Sequence, residues 1–170
     1  MNNLIIFIVV NVSLMGCNTN TKKSEETIIT ILQTSDIHAY LNTHQELFVE
    51  NNAVVFRKAG GLANIKTLTN IIRKENPNGT LFIDGGDFIQ GSGQSVLSEG
   101  NIFPPIIQQM NYDLLIPGNW EVIYGKQIMM DIMQDYKTNV IVSNMFHQEN
   151  NESLFPPYWI TQKQGVKIGF

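Results

Sequence analysis

The sequence carries a single cysteine, Cys17, and three histidines, His38, His44 and His147, in 170 residues. One thiol excludes an intrachain disulfide and every zinc site built from clustered cysteines. Charge is sparse as well, because Asp, Glu, Lys and Arg make up 15% of the chain against a usual ~25%. The net charge of −4 is spread without a long block of either sign, so the basic face that binds a nucleic-acid polymer is missing and no such partner is expected. No apolar run approaches the ~20 residues of a membrane-spanning helix. What is present is a hydrophobic share of 43%, enough for one packed domain and too much for a disordered chain. Site chemistry has to come from His, Asp, Glu, Asn or hydroxyl side chains.

The amino terminus reads as an address. Leu4–Val10 is uninterrupted and apolar, and no charged side chain precedes Cys17. Such a run suits the core of an export signal, although the usual Lys or Arg at its start is absent. Leu14-Met15-Gly16-Cys17 resembles a bacterial lipobox. That resemblance implies a signal peptide over residues 1–16 and a lipid anchor on Cys17, hence an exported lipoprotein held at a periplasmic or cell-envelope membrane. The alternative makes Cys17 a small buried residue of an uncleaved helix. Asn18–Thr27 is polar and suits a flexible tether over residues 17–27. A domain is then expected from Ile28 onward.

Periodicity divides the remainder into strands and helices. Thr27–Gln33, Thr80–Asp84, Leu114–Ile116 and Val140–Val142 are short apolar or β-branched runs, as in strands covered on both faces. Between Gly60 and Asn76, Leu62, Ile65, Leu68, Ile71 and Ile72 recur at helical spacing, which predicts an amphipathic helix. Pro104–Met110 and Lys126–Tyr136 are expected as two more helices. Asn150–Pro157 is loop-like, and Val166–Phe170 has the pattern of a fifth strand beginning. Strands alternating with helices predict an α/β layered fold with a mostly parallel sheet. The apolar VKIGF ending carries no stop signal, so residues 28–170 are expected to be the amino-terminal part of a domain.

The polar residues fall where such a sheet binds ligands, after the carboxyl ends of its strands. The first strand ends in Asp36-Ile37-His38, where an extended spacer would set both side chains on one side of the loop. The second ends in Gly85-Gly86-Asp87, whose glycines permit a tight turn. The third ends in Pro117-Gly118-Asn119. Oxygen and nitrogen donors without thiolate suit Mn, Zn, Fe or Mg. Each piece recurs by chance in unrelated proteins; their order and shared placement are what carry meaning.

Together the blocks Ile31–His38, Gly60–Ala63, Leu81–Ser92, Pro117–Glu121 and Val142–Asn144 resemble the calcineurin-like metallophosphoesterase superfamily, in particular its 5′-nucleotidase-like branch. The resemblance implies a layered αββα fold and two divalent metal ions (Mn, Zn or Fe). Asp36 and His38 would hold the first metal, Asp87 would bridge, and Asn119 would hold the second. It further implies hydrolysis of a nucleotide or other small phosphate ester outside the cytoplasm.

Two departures stand out. Trp120 occupies the place of the family's histidine and Ile123 that of its acidic partner. Indole offers one N–H and no proton transfer at neutral pH, so no catalytic residue is assigned. Asn119-Trp120-Glu121 with Tyr124-Gly125 is also similar to the thiosulfohydrolases of the same branch, which leaves a sulfur-compound hydrolase as an alternative. A third alternative is an inactive, truncated surface lipoprotein. As a packing residue, Trp120 would instead sit in the core beside Tyr124. The downstream histidine ligands of the family have no counterpart, since His44 and His147 lie in polar stretches and are expected at the surface. The second metal site is therefore expected to be incomplete in this chain.

Overall fold

Residues 26–170 are described by a computed structural model; the expected signal peptide, the Cys17 anchor and most of the tether lie outside the described residues. The first strand, β1 (Thr30–Thr34), is followed by an antiparallel hairpin of β2 (Thr43–Glu50) and β3 (Ala53–Gly60), then by helix α1 (Leu62–Glu75). Strand β4 (Thr80–Asp84) leads to α2 (Gly93–Ser98) and α3 (Phe103–Met110), and β5 (Leu114–Leu115) leads through a short 3-10 turn, Trp120–Val122, to α4 (Lys126–Asp135). The chain continues through β6 (Asn139–Val140) to a closing hairpin of β7 (Ile160–Lys163) and β8 (Val166–Gly169).

Four strands form the central sheet in the order β1-β4-β5-β6, every neighbouring pair parallel. All five residues of β4 are buried, as its unbroken apolar run requires of a strand covered on both faces. Alternation along the strands separates two apolar layers. Leu32, Phe82 and Leu115 point into the larger one, where Phe103 and Ile107 of α3 and Met129 and Ile132 of α4 meet them. Ile83, Leu114 and Ile141 form the smaller layer on the other face, joined by Ile31, Trp159 and Phe170. Trp159 and Phe170 stack with centroids 5.7 Å apart, so the β7–β8 hairpin closes that face. Phe82 and Phe103 are 1% and 0% exposed, and truncating either to alanine is expected to cost about 3–5 kcal/mol.

The α/β class, the parallel sheet and the three expected helices agree with the sequence reading. Helix α1 places Arg73 and Lys74 in its last turn, where they complement the negative end of its dipole. Three features differ. The β2–β3 hairpin was not anticipated; it turns at Asn51-Asn52, both left-handed (φ 50° and 63°), as a two-residue hairpin loop demands. Helix α2 was not anticipated either, and it starts with the Ser92 hydroxyl accepting the Ser95 amide. The strand at Val166–Gly169 exists, but it pairs antiparallel with β7 instead of extending the sheet. Among the described residues, no helix is long and apolar enough to cross a membrane.

Candidate metal centre

Three loops leave the carboxyl ends of β1, β4 and β5 and meet. The first two are joined by main-chain bonds: Asp36 donates its amide to the Gly86 carbonyl, His38 to that of Asp87 and Ala39 to that of Phe88, each at 2.9 Å. Gly85 donates in return to Thr34 at 2.8 Å. The extended spacer expected at Asp36-Ile37-His38 is not what forms. Asp36, His38 and Ala39 are left-handed, with φ of 55°, 48° and 57°, and Asp87 matches them at 57°. The side chains converge because the loop is bonded to its neighbour in this coiled shape. Non-glycine residues adopt it rarely, and such conformations gather at functional sites where surrounding contacts hold them.

Asp36, His38 and Asp87 each present one ligand atom to a common point, all within 4.8 Å of one another. His38 Nε2 lies 3.6 Å from Asp36 Oδ1 and 4.0 Å from Asp87 Oδ2. Asp36 is exposed while His38 and Asp87 are half-buried, so the group opens to solvent on one side. Two carboxylates and one imidazole form a hard donor set that fits a divalent cation of the Mn, Zn or Fe type.

The third loop reaches this group through its backbone. The Trp120 amide donates to Asp87 Oδ1 at 3.0 Å. Asn119 precedes that donor in the chain and is exposed. The indole of Trp120 lies against the His38 ring, so its place is beside the candidate ligands rather than in the core. His44 and His147 stand elsewhere. His44 is in β2, not in a loop, and its Nε2 lies 3.1 Å from Glu46 Oε2; His147 faces Lys126 at 3.5 Å.

Two further carboxylates, Asp84 and Glu121, to which the sequence assigns no role, are buried and bonded to the turn that carries Asp87. Asp84, 1% exposed, accepts the Thr34 hydroxyl at 2.6 Å and the Gly86 amide at 2.9 Å. Burial is the main cause that pushes its pKa up to about 7, and the negative charges of Glu121 and Asp36 add to it, while the two hydrogen bonds oppose. Tyr112 completes a chain with Thr34 at 2.8 Å, and burial followed by the Asp84 charge raises its phenol above the ordinary range. Glu121, also 1% exposed, accepts four main-chain amides, from Asp87, Phe88, Ile89 and Gly118. A lone acid ending an apolar strand (TLFID) and another inside a turn were the available signals.

The sequence pattern of the family described as "Calcineurin-like phosphoesterase" matches residues 29–169. The chain is 29% identical over 163 residues to the trifunctional nucleotide phosphoesterase protein YfkN of Bacillus subtilis, with 84% of this chain and 11% of that protein covered. In fold it is similar to the NAD nucleotidase NadN of Haemophilus influenzae, with a TM-score of 0.73, 24% identity, and 83% of this chain and 25% of that one covered. It is likewise similar to the sulfate thiohydrolase SoxB of Thermus thermophilus, with a TM-score of 0.69, 16% identity, and coverage of 82% and 34%. The chain thus spans 11% to 34% of the lengths of these proteins. With the family pattern running from the start of the first strand to the end of the last, the chain belongs to the calcineurin-like phosphoesterase family.

Proposed function

We propose that this chain is the metal-binding part of a 5′-nucleotidase-like phosphoester hydrolase that acts on a nucleotide or another small phosphate ester outside the cytoplasm. The observation that carries this reading is the convergence of Asp36, His38 and Asp87 from loops that follow two adjacent parallel strands. Asp36 and His38 would hold one divalent cation, Asp87 would lie between two, and Asn119 would serve the second. Bound divalent cations supply Lewis-acid polarisation of a phosphoryl oxygen and clamp an in-line displacement. The protein's part is orientation. The Trp120 amide occupies Asp87 Oδ1 and leaves Oδ2 toward His38. The main-chain bonds from Asp36, His38 and Ala39 fix the first loop against the second. Names borne by the similar proteins, nucleotide phosphoesterase and NAD nucleotidase, support a nucleotide as the substrate class.

Export and anchoring belong to the same proposal. Cys17 would carry the lipid and residues 18–27 would hold the domain off the membrane. Incorporation of labelled palmitate that disappears in Cys17→Ser supports this, and equal labelling of the two forms refutes it.

A second reading, a hydrolase of sulfur compounds, draws on Trp120 beside His38 and on the fold shared with the thiohydrolase. The deciding experiment titrates the purified protein with Mn2+ and then offers AMP, nitrophenyl phosphate and an organic S-sulfonate (R–S–SO3−), whose hydrolysis gives thiol and sulfate, in parallel. Metal uptake with phosphate release, both lost in Asp87→Asn, supports the first reading. Sulfate release without phosphate release favours the second. A protein that takes up no metal and turns over none of the three is the inactive lipoprotein.

A further inference from the structure

We infer that Glu121 is a positioning residue for Asp87: it holds the main chain of the Gly86-Asp87 turn so that the Asp87 carboxylate is aimed at His38. The inference rests on the reading of Asp36, His38 and Asp87 as a metal centre.

Glu121 is an acid almost without solvent contact, and its hydrogen bonds come from main-chain amides. Oε1 accepts from Phe88 at 2.6 Å and from Ile89 at 3.3 Å. Oε2 accepts from Asp87 at 3.0 Å and from Gly118 at 2.6 Å. Three successive amides, 87 to 89, converge on this one carboxylate, the arrangement of a backbone nest, in which a left-handed residue sits beside right-handed ones. That residue is Asp87, at φ 57°. An uncompensated charge would not survive burial of this depth, so the amides and the carboxylate require each other.

The fourth amide ties in the other loop. A Cβ at position 118 would collide with Asp87 Oδ1 and lie 2.6 Å from the Asp87 amide nitrogen. The two loops are therefore in direct backbone contact where Glu121 bridges them. One residue earlier in the same turn, the Trp120 amide fixes Asp87 Oδ1 at 3.0 Å. A single turn thus grips Asp87 twice, by its main chain through Glu121 and by its carboxylate through the Trp120 amide. Glu121 makes no hydrogen bond to Asp36 or His38; its link to the candidate ligands runs through the main chain of Asp87.

The test compares Glu121→Gln with a control destabilised away from the site, Ile107→Val on α3. Gln keeps the volume but has one acceptor oxygen, so two of the four amides lose their partner. Mn2+ affinity by isothermal titration and Tm in chelator are measured on both variants and the wild-type protein. Positioning requires that Glu121→Gln weakens Mn2+ binding at least about ten-fold, which is about 1.4 kcal/mol, while Ile107→Val leaves it unchanged. Wild-type affinity in Glu121→Gln, or equal weakening in both variants, overturns the inference. If Glu121→Gln does not fold, amide exchange on the wild-type protein decides. The Asp87, Phe88 and Gly118 amides, which lie outside the sheet, must exchange as slowly as those of β4, and exchange at exposed-loop rates overturns the inference. Absence of Mn2+ binding by the wild-type protein instead removes the metal reading, and the exchange result still reports whether Glu121 grips the turn.

Discussion

The indole of Trp120 meets the imidazole of His38 edge-on, with ring centroids 5.9 Å apart and planes at 76°. The other tryptophan, Trp159, lies in the layer on the opposite face of the sheet, stacked on Phe170. Emission from Trp120 should therefore report on the candidate metal centre and that from Trp159 should not. In a Trp159→Phe background, Mn2+ is expected to quench the remaining emission, because the indole centroid stands 5.9 Å from that of the imidazole that would hold the paramagnetic ion. Emission that stays constant through a saturating titration contradicts a cation at His38.

The fold was legible where burial enforces a pattern. β1 and β4 announced themselves as apolar runs because both faces of the sheet are covered, and α1, α3 and α4 because one face of each contributes to the larger core layer. The β2–β3 hairpin escaped because it has little to pack against: Leu47, Val49, Val54 and Phe56 are 47% to 68% exposed, so its composition follows no core. β7–β8 turns at Gln164-Gly165, both left-handed, a short-range signal that the apolar run at its end obscured. The convergence of Asp36, His38 and Asp87 could be anticipated because polar residues after buried strands are conspicuous. Glu121 and Asp84 left only weak signals, an acid ending an apolar run and an acid in a turn, since their partners are main-chain amides and a hydroxyl, which a sequence does not display.

Contact between the second and third loops sets a steric prediction. Gly118→Ala would place a methyl group against Asp87 Oδ1 and against the Asp87 amide nitrogen, so backbone as well as the carboxylate stands in the way. The substitution is expected to destabilise by about 1–3 kcal/mol, as overpacking does. It should also weaken Mn2+ binding by displacing the Asp87 carboxylate. Gly93→Ala is the companion, since a Cβ there meets nothing within 4 Å and position 93 begins α2. Helix propensity and loss of unfolded-state freedom are expected to make it neutral or stabilising by up to about 1 kcal/mol. Urea unfolding of the two variants checks both; equal midpoints would mean that the loops yield.

At the opposite end of the strands, Asp113 joins three elements. Its Oδ2 accepts the Phe82 amide at 2.8 Å and Arg73 of α1 at 2.5 Å, and Lys163 of β7 stands 3.9 Å from Oδ1. The two partners of the ion pair are not equivalent. Removing Arg73 leaves Asp113 with an amide donor and Lys163, whereas Asp113→Ala leaves the Phe82 amide in a fully buried strand without its acceptor. The expected losses are at most about 1 kcal/mol for Arg73→Ala and about 1–3 kcal/mol for Asp113→Ala. A double-mutant cycle by urea unfolding measures the difference, and equal single-mutant losses would assign the whole effect to the ion pair.

Asp84 makes stability depend on pH in an unusual direction for an acid. Its folded pKa is raised from 3.8 to about 7, burial being the largest cause. The folded state therefore holds this proton more tightly than the unfolded chain does, and stability falls as pH rises through the window where only the folded form is protonated. The contribution is complete below about pH 4 and is lost as pH climbs to about 7. Most carboxylates act in the opposite sense, so the signature is isolated by subtraction. Asp84→Asn mimics the protonated acid: its carbonyl can accept the Gly86 amide while its NH2 donates to the Thr34 hydroxyl, which then donates to Tyr112. In chelator, so that no cation supplies compensating charge, the stability difference between variant and wild-type protein is expected to move steadily in the variant's favour from pH 4 to pH 7 and then to level off. A difference independent of pH across that interval would mean that Asp84 titrates as an ordinary exposed aspartate despite its burial.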